Sequence, residues 1–392
     1  MNLVYLCGSI IPSRAANSVH VMKMCQALAR NGHSVTLLAP MKRGEYESGV
    51  DDVFDFYDVE RIFELRKLPC PRIKGRSIIY AVAAAWAVQK LRPDLVFGRY
   101  VHGCALTAWM GYPTIFECHQ PIWEIGTIHH GFFELLRRGT AFQKFVVISE
   151  ALKEIYMEEK DMSPSQIIVA HDAADDPGNV DKPAVLSGAR EEALQVGYVG
   201  NLYSGKGMSV IAEVAPRMPD LDFHVLGGAE DDIAEWKQRV EAENVIFHGF
   251  VNQSEVPRYM EALDVCLLPN QRTVAVYGSG EADIGRYTSP LKMFEYMSHG
   301  KPIIASDLPV LREVLTDGKN AVLCNPEDST EWIRALRQLN DDSSRRCRLG
   351  EQARRDFEAE YTWSARAKRI LTAASSSSNF SSSPMAASDA IS

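Results

Sequence analysis

The 392-residue chain is 46% hydrophobic and 24% charged with a formal net charge of −9, which fits a soluble globular protein long enough for two cores and argues against general nucleic-acid binding. Its eight cysteines (Cys7, Cys25, Cys70, Cys104, Cys118, Cys266, Cys324, Cys347) show no CxxC and no paired Cys/His spacing, so reduced core thiols are expected rather than a disulfide framework or a zinc site. LVYLCGSII reads as a first strand almost from Met1 and residues 78–91 are too short to span a bilayer, so neither a secretory signal nor a membrane span is expected, and the reading is cytoplasmic.

In chain order, NLVYLCG is a strand and VHVMKMCQALARNGH an amphipathic helix closed by Asn31-Gly32, followed by the strand SVTLLAP. DLVFGRY and PTIFECH are later strands, and FVVIS precedes another helix. Residues 166–185 are rich in Asp, Pro and Gly and read as a linker. The alternation restarts with QVGYVGNL, then a helix at GMSVIAEVAPRM, strands at DFHVLGG and NVIFHGF, a helix at SEVPRYMEAL and a strand at DVCLLP. A helix at SPLKMFEYMSH leads into the strand PIIAS, and one long helix is expected at about 349–374. Alternation of this kind predicts an α/β fold of two Rossmann-like doubly wound domains facing a cleft. Residues 1–183 form the first domain and 184–372 the second. The Ser-rich 373–392 is read as a disordered tail.

Three places offer phosphate-binding geometry. In TSPLKMFEYMSHGKPIIASD (288–307), Ser289 is the expected N-cap and Pro290 the first helical residue, leaving amides of Ser289, Leu291 and Lys292 free for an anion. VGYVGNLYSGKGM (196–208) is a strand and a loop in which Gly200, Gly205 and Gly207 allow close approach and Lys206 adds a cation. CGSIIPSRAANSVH (7–20) is a strand-to-helix loop carrying Arg14, Asn17 and Ser18. Together they point to a phosphorylated ligand lying across the cleft.

In order and context these segments resemble the family-4 glycosyltransferases of GT-B fold, retaining enzymes of bacterial polysaccharide and lipid-linked glycan synthesis that use nucleotide sugars. The resemblance covers the chain to about residue 372, and SPLKMFEYMSHGKPIIASD is its most specific part. It implies that Glu295, matching the second Glu of the E-x7-E motif, holds the donor ribose. Lys206 would hold the diphosphate, with Gly200, Asn201, Ser289, Pro290, Leu291 and Lys292 around it, and His119 would reach the reaction centre. Arg99 and Glu117 would line the acceptor cleft, as would the loop with Arg14, Asn17 and Ser18. A UDP- or GDP-linked sugar would be the donor substrate, a glycan or lipid-phosphate-linked hydroxyl the acceptor, with no cofactor and no metal. The sequence departs from the family where Tyr287 stands in place of the first Glu of the motif; Asp283, Glu281 or the Tyr287 hydroxyl are the candidates to replace it. Asn201 stands where an Arg is common, so Lys292 or Arg286 would supply that charge.

Residues 61–99 hold nine cations and two acids, and RKLPCPRIKGR (66–76) mixes cations with apolar residues. This is either a solvated loop or a patch facing an anionic membrane surface, on the inner face of the plasma membrane. Two other functions share the architecture: a sugar-nucleotide epimerase, and a non-catalytic sugar-nucleotide-binding partner. A dinucleotide dehydrogenase is disfavoured because no GxGxxG opens the first helix.

Overall fold

A computed structural model describes residues 1–375 except 43, 253, 277 and 278; side chains within 275–282 also lie outside the described part. The first sheet is built from β1 (Asn2–Leu6), β2 (Ser34–Met41), β3 (Glu64–Pro69), β4 (Leu95–Gly98), β5 (Thr114–Cys118), β6 (Phe142–Val147) and β7 (Ile167–Val169). Its seven strands are all parallel in the order β3-β2-β1-β4-β5-β6-β7. β4 and β5 are buried at every position; β4 accordingly reads as a continuous apolar run, whereas β5 buries the carboxylate of Glu117 among its apolar residues. β3 is an edge strand with the charged sequence ELRKLP, so residues 66–69 of the basic stretch read as a solvated loop or membrane-facing patch are a strand. Charge suits an edge that must not pair with another chain.

The second sheet uses β8 (Gln195–Val199), β9 (Asp222–Leu226), β10 (Val245–Gly249) and β11 (Val265–Leu268). A hairpin of β12 (Ala275–Val276) and β13 (Ser279–Asp283) precedes β14 (Ile303–Ser306) and β15 (Val322–Cys324). The six sheet strands run parallel in the order β10-β9-β8-β11-β14-β15. The fold is therefore two-domain α/β of the expected class. Each sheet has a core cluster on both faces: Tyr5 and Phe97 lie on one side of the first and Phe116 and Phe145 on the other. Each fully buried side chain of this size contributes about 1.5–3 kcal/mol.

The chain does not end in one long helix. Ser343–Glu360 and Trp363–Ser375 are separate helices, because Thr362 Oγ1 accepts from Ala365 N–H at 3.1 Å and starts a new helix. The break lets the chain cross back. Ala353 and Phe357 pack in the second domain, whereas Trp363, Ala367, Ile370 and Ala374 pack on the first sheet beside the helix Ala16–Arg30. That last helix runs to Ser375, three residues beyond the boundary expected at 372; residues 376–392, most of the expected tail, lie outside the described part.

Candidate functional site

On the second domain, β8 delivers the chain into the loop 200–207. Gly205 and Gly207 have φ of +82° and +106°, and a Cβ on either would lie within 2.3 Å of the backbone of Thr273 or Pro269. Only glycine fits such contacts, and the two fix Lys206 between them. Lys206 Nζ lies 5.9 Å from the Tyr203 ring centroid, and burial lowers its pKa. Asn201 is exposed and its amide donates to the Tyr203 hydroxyl at 2.8 Å.

The helix Leu291–Ser298 approaches the same loop. Pro290 is its N-cap residue, one position earlier in role than expected, because the Ser289 hydroxyl accepts instead from Asp172 N–H at 3.0 Å. Met293, Phe294, Tyr296 and Met297 are buried, and Gly300 closes the helix with φ +60° before β14. Lys292 Nζ sits 4.0 Å over the Tyr198 ring and about one side-chain contact, 3.5 Å, from where a Cβ on Gly200 would be. That ammonium is shielded from solvent without a hydrogen bond. Burial pushes its pKa well below the ordinary lysine value, the Lys206 charge pushes the same way, and Glu295 opposes them. Two lysines and a carboxylate thus form one electrostatic cluster at the end of β8. Glu295 also borders a cavity of about 140 Å³ lined by Val256 and Leu291 of the second domain and Val19, Lys23 and Trp363 on the other side; a cavity of about 150 Å³ accepts one benzene ring.

On the first domain, Glu117 at the end of β5 is fully buried. It meets His119 Nε2 at 2.5 Å, Arg366 Nη2 at 3.0 Å and His20 Nε2 at 3.2 Å. Burial raises the Glu117 pKa, but Arg366 and His20 outweigh that and hold it well below the usual carboxylate range. A carboxylate only accepts, so His119 Nε2 carries the proton and Nδ1 is left as an acceptor. The His119 pKa is pushed down to about 4, by burial first and Arg99 second, against Asp172 and Glu117; the ring is neutral at ordinary pH. His20, Glu117 and His119 also lie at metal-ligating spacing, but Arg366 already occupies the carboxylate.

The two halves of the site touch. Asp172 gives its N–H to Ser289 and its carboxylate lies 3.3 Å from His20. Tyr287 is buried in the first domain's cluster and its hydroxyl donates to Glu124 at 3.3 Å. It thereby makes an interdomain contact. Asp283 Oδ1 accepts from Val274 N–H and Gly285 N–H, which ties that oxygen to the turn; the Glu281 side chain lies outside the described part, and Arg286 is exposed. In the N-terminal loop, Ser18 is buried and bonds Ser13 and the Ile10 carbonyl. Asn17 is exposed. Arg14 pairs with Glu47 at 3.0 Å and lies 4.1 Å over the Phe250 ring of the opposite domain.

Sequence reasoning missed Arg366, His20 and Asp172. The signal for Arg366 was present, as an arginine inside the apolar stripe Trp363, Ala367, Ile370, Ala374. Within 66–76, Glu64 and Glu45 partner Arg66 and Arg76 at 2.6 Å. Beside it, the helix Arg76–Leu91 exposes Val82 and Trp86 by 58% and 59%, and Ile73 is 57% exposed.

Two facing doubly wound sheets with a cationic cleft at their strand ends define a GT-B protein. The chain carries the two glycosyltransferase domains of this class: residues 18–176 match the Glycosyltransferase Family 4 model and residues 193–342 the Glycosyl transferases group 1 model. It is 28% identical over 232 residues to a D-inositol 3-phosphate glycosyltransferase of Corynebacterium aurimucosum, covering 55% of this chain and 52% of that one. The chain thus spans about half the length of that curated relative. In fold it is similar to the sucrose-phosphate synthase of Thermosynechococcus elongatus (TM-score 0.69, 14% identity, 95% and 98% of the two chains). It is likewise similar to HepE of Anabaena in complex with UDP and glucose (TM-score 0.68, 17% identity, 95% and 99%). Among the described residues no helix is long and apolar enough to cross a membrane.

Proposed function

We propose that the protein transfers a sugar from a nucleotide-sugar donor to a hydroxyl of a glycan or lipid-linked acceptor in cell-surface polysaccharide synthesis. The observation that carries this reading is the pair Lys206 and Lys292, both depressed by burial and one of them without a hydrogen bond. Buried cations in that condition are poised for a polyanion, and the helix N-terminus beside them adds free amides. The diphosphate lies on the lysines and the amides of Leu291 and Lys292, and Glu295 accepts from the ribose hydroxyls. A neighbour of the same fold is described in complex with UDP and glucose, which is in keeping with a nucleotide ligand.

In the reaction, the bond from the anomeric carbon to the diphosphate oxygen breaks and its electron pair leaves with the diphosphate. Lys206 and Lys292 stabilise that charge, which develops only as the bond breaks. The acceptor oxygen bonds to the same face of the carbon, and its proton passes to the departing phosphate oxygen, so the configuration is retained. His119, neutral and with Nδ1 free to accept, orients a hydroxyl of the transferred sugar. No step is assigned to a metal. The apolar Ile73, Val82 and Trp86 with Arg72, Lys74 and Lys90 form the face set against an anionic membrane, which would bring a lipid-linked acceptor to the cleft.

Thermal stabilisation by a panel of nucleotide sugars, repeated with Lys206→Ala and Glu295→Ala, tests the reading. One donor should raise the melting temperature of the unsubstituted protein and lose that effect in both variants; equal shifts in all three proteins rule the site out. Conversion of the donor sugar without any acceptor would favour an epimerase instead.

A further inference from the structure

The carboxyl ends of β2, β1 and β4 stand side by side in the first sheet, and the strand order reverses between β1 and β4. That reversal point is where doubly wound sheets open a crevice for ligands. Lys42 follows β2, Gly8 follows β1 and Arg99 follows β4. Leu6 pairs with Leu38 on one side and with Gly98 on the other, so the two cations flank the end of a single strand. Arg99 N–H donates to the Leu6 carbonyl at 2.9 Å, which fixes its backbone there.

Neither cation is paired with a carboxylate among the described residues. The acids nearby are committed elsewhere: Glu45 to Arg76 at 2.6 Å, Glu47 to Arg14 at 3.0 Å and Glu117 to Arg366 at 3.0 Å. Lys42 Nζ has a long contact to the Gly8 carbonyl at 3.5 Å. Arg99 Nη1 is fully shielded from solvent and makes no hydrogen bond. A shielded guanidinium nitrogen left unsatisfied is costly, and a planar fork of donors is matched by a phosphate. Both charges act on the Cys7 thiol between them, and Arg99 also acts on His119.

We propose that Lys42 and Arg99 form an oxyanion subsite that holds a phosphate group of the acceptor, beside His119. Calling the bound molecule an acceptor rests on the glycosyl-transfer reading; the phosphate binding does not. The group belongs either to a soluble sugar phosphate or to a lipid phosphodiester.

Calorimetric titrations with glucose 6-phosphate, glucose and dioctanoyl phosphatidylglycerol test it, with UDP and GDP titrated separately. A phosphate-bearing probe should bind and glucose should not, and the stronger of the two phosphate probes identifies the source. Arg99→Ala and Lys42→Ala should each weaken that probe about tenfold or more, Arg99→Lys should recover part of the loss, and Lys206→Ala should change nothing. Binding of UDP should be the same in the Arg99 and Lys42 variants. Phosphate binding that is absent, that survives both substitutions, or that is lost in Lys206→Ala instead overturns the subsite. If an alanine variant does not fold, Arg99→Lys and Lys42→Gln give the same comparison. A protein that binds the phosphate probe through Arg99 but ignores both UDP and GDP would refute glycosyl transfer and leave the subsite standing.

Discussion

Arg366 on the last helix of the chain donates to both oxygens of Glu117 at the end of β5, at 3.0 Å through Nη2 and 3.4 Å through Nη1. Both side chains are almost wholly buried, at 2% and 0% exposure, and Arg366 also reaches the His171 and Ala170 carbonyls at 2.8 and 3.1 Å. The pair joins the strand that carries His119 to a helix that arrives from the other domain.

Arg366→Leu leaves the Glu117 charge buried and uncompensated, so the protein should lose about 3–5 kcal/mol of stability. Urea unfolding reads this as a lower midpoint. The double variant Arg366→Leu/Glu117→Gln should regain part of the loss, since the stranded charge is gone. An unchanged midpoint in the single variant contradicts the assignment.

Acid should unfold the same region. Burial raises the Asp172 carboxyl, but His119 and His20 outweigh it and bring the pKa down to about 2 from 3.8. A group depressed in the folded state stabilises it above its ordinary value and loses that contribution as pH falls. The window is therefore pH 3.8 to about 2, and Asp172→Asn should flatten the loss of stability across it in denaturation curves taken at successive pH values.

Nucleotide binding should take up protons. The Lys292 pKa is depressed by burial and by Lys206, and a bound diphosphate restores the charged form. Affinity for UDP should fall as pH rises above the depressed Lys292 pKa toward the ordinary lysine value. Calorimetry in HEPES and Tris should give enthalpies that differ by the protons absorbed, and Lys292→Met should reduce the difference. Identical enthalpies in both buffers for the unsubstituted protein refute the linkage.

Glu295→Ala should weaken UDP by about 10- to 100-fold, the worth of hydrogen bonds to a charged acceptor at about 1.5–3 kcal/mol. A titration against 2′,3′-dideoxy-UDP should then show no difference between variant and unsubstituted protein, because the ribose hydroxyls are absent.

Trp86→Ala and Val82→Asp should each reduce sedimentation with vesicles containing anionic lipid, and leave UDP affinity unchanged. Each removes exposed apolar surface of a first-domain helix. Partitioning that stays the same in both variants and in Arg72→Gln/Lys74→Gln removes the membrane face.

Much of the fold was legible because its signals are local. β4 and β14 are short, almost wholly apolar runs, and Asn31-Gly32 and Gly300 end helices by a conformation that few other residues adopt. Lys206 was legible for the same reason, held between glycines that the loop requires. β3 was missed because an edge strand tolerates charge, and the break at Tyr361–Thr362 because Thr362 is a cap only when the chain turns there. The N-cap shift from Ser289 to Pro290 had no local cause, since the competing donor, Asp172 N–H, lies 117 positions away in sequence. The cluster of His20, Glu117, His119, Asp172 and Arg366 spans four separate segments, and only packing assembles it. The site was thus readable where one loop or helix carries it, and unreadable where it depends on charges meeting across the fold.

The crossing at Tyr361–Thr362 runs beside Ala174, in the segment that leads from the first domain into the second. Ala174 donates to the Tyr361 carbonyl at 3.1 Å and forms a parallel bridge with Thr362, while the Tyr361 ring packs 5.1 Å from Phe294 in the donor-side helix. The domains are therefore joined by two laced spans of backbone rather than by a single tether. Such a joint permits swing about the line through both spans and resists twist around it, so the mouth of the cleft can widen while the floor beneath Glu295 keeps its shape.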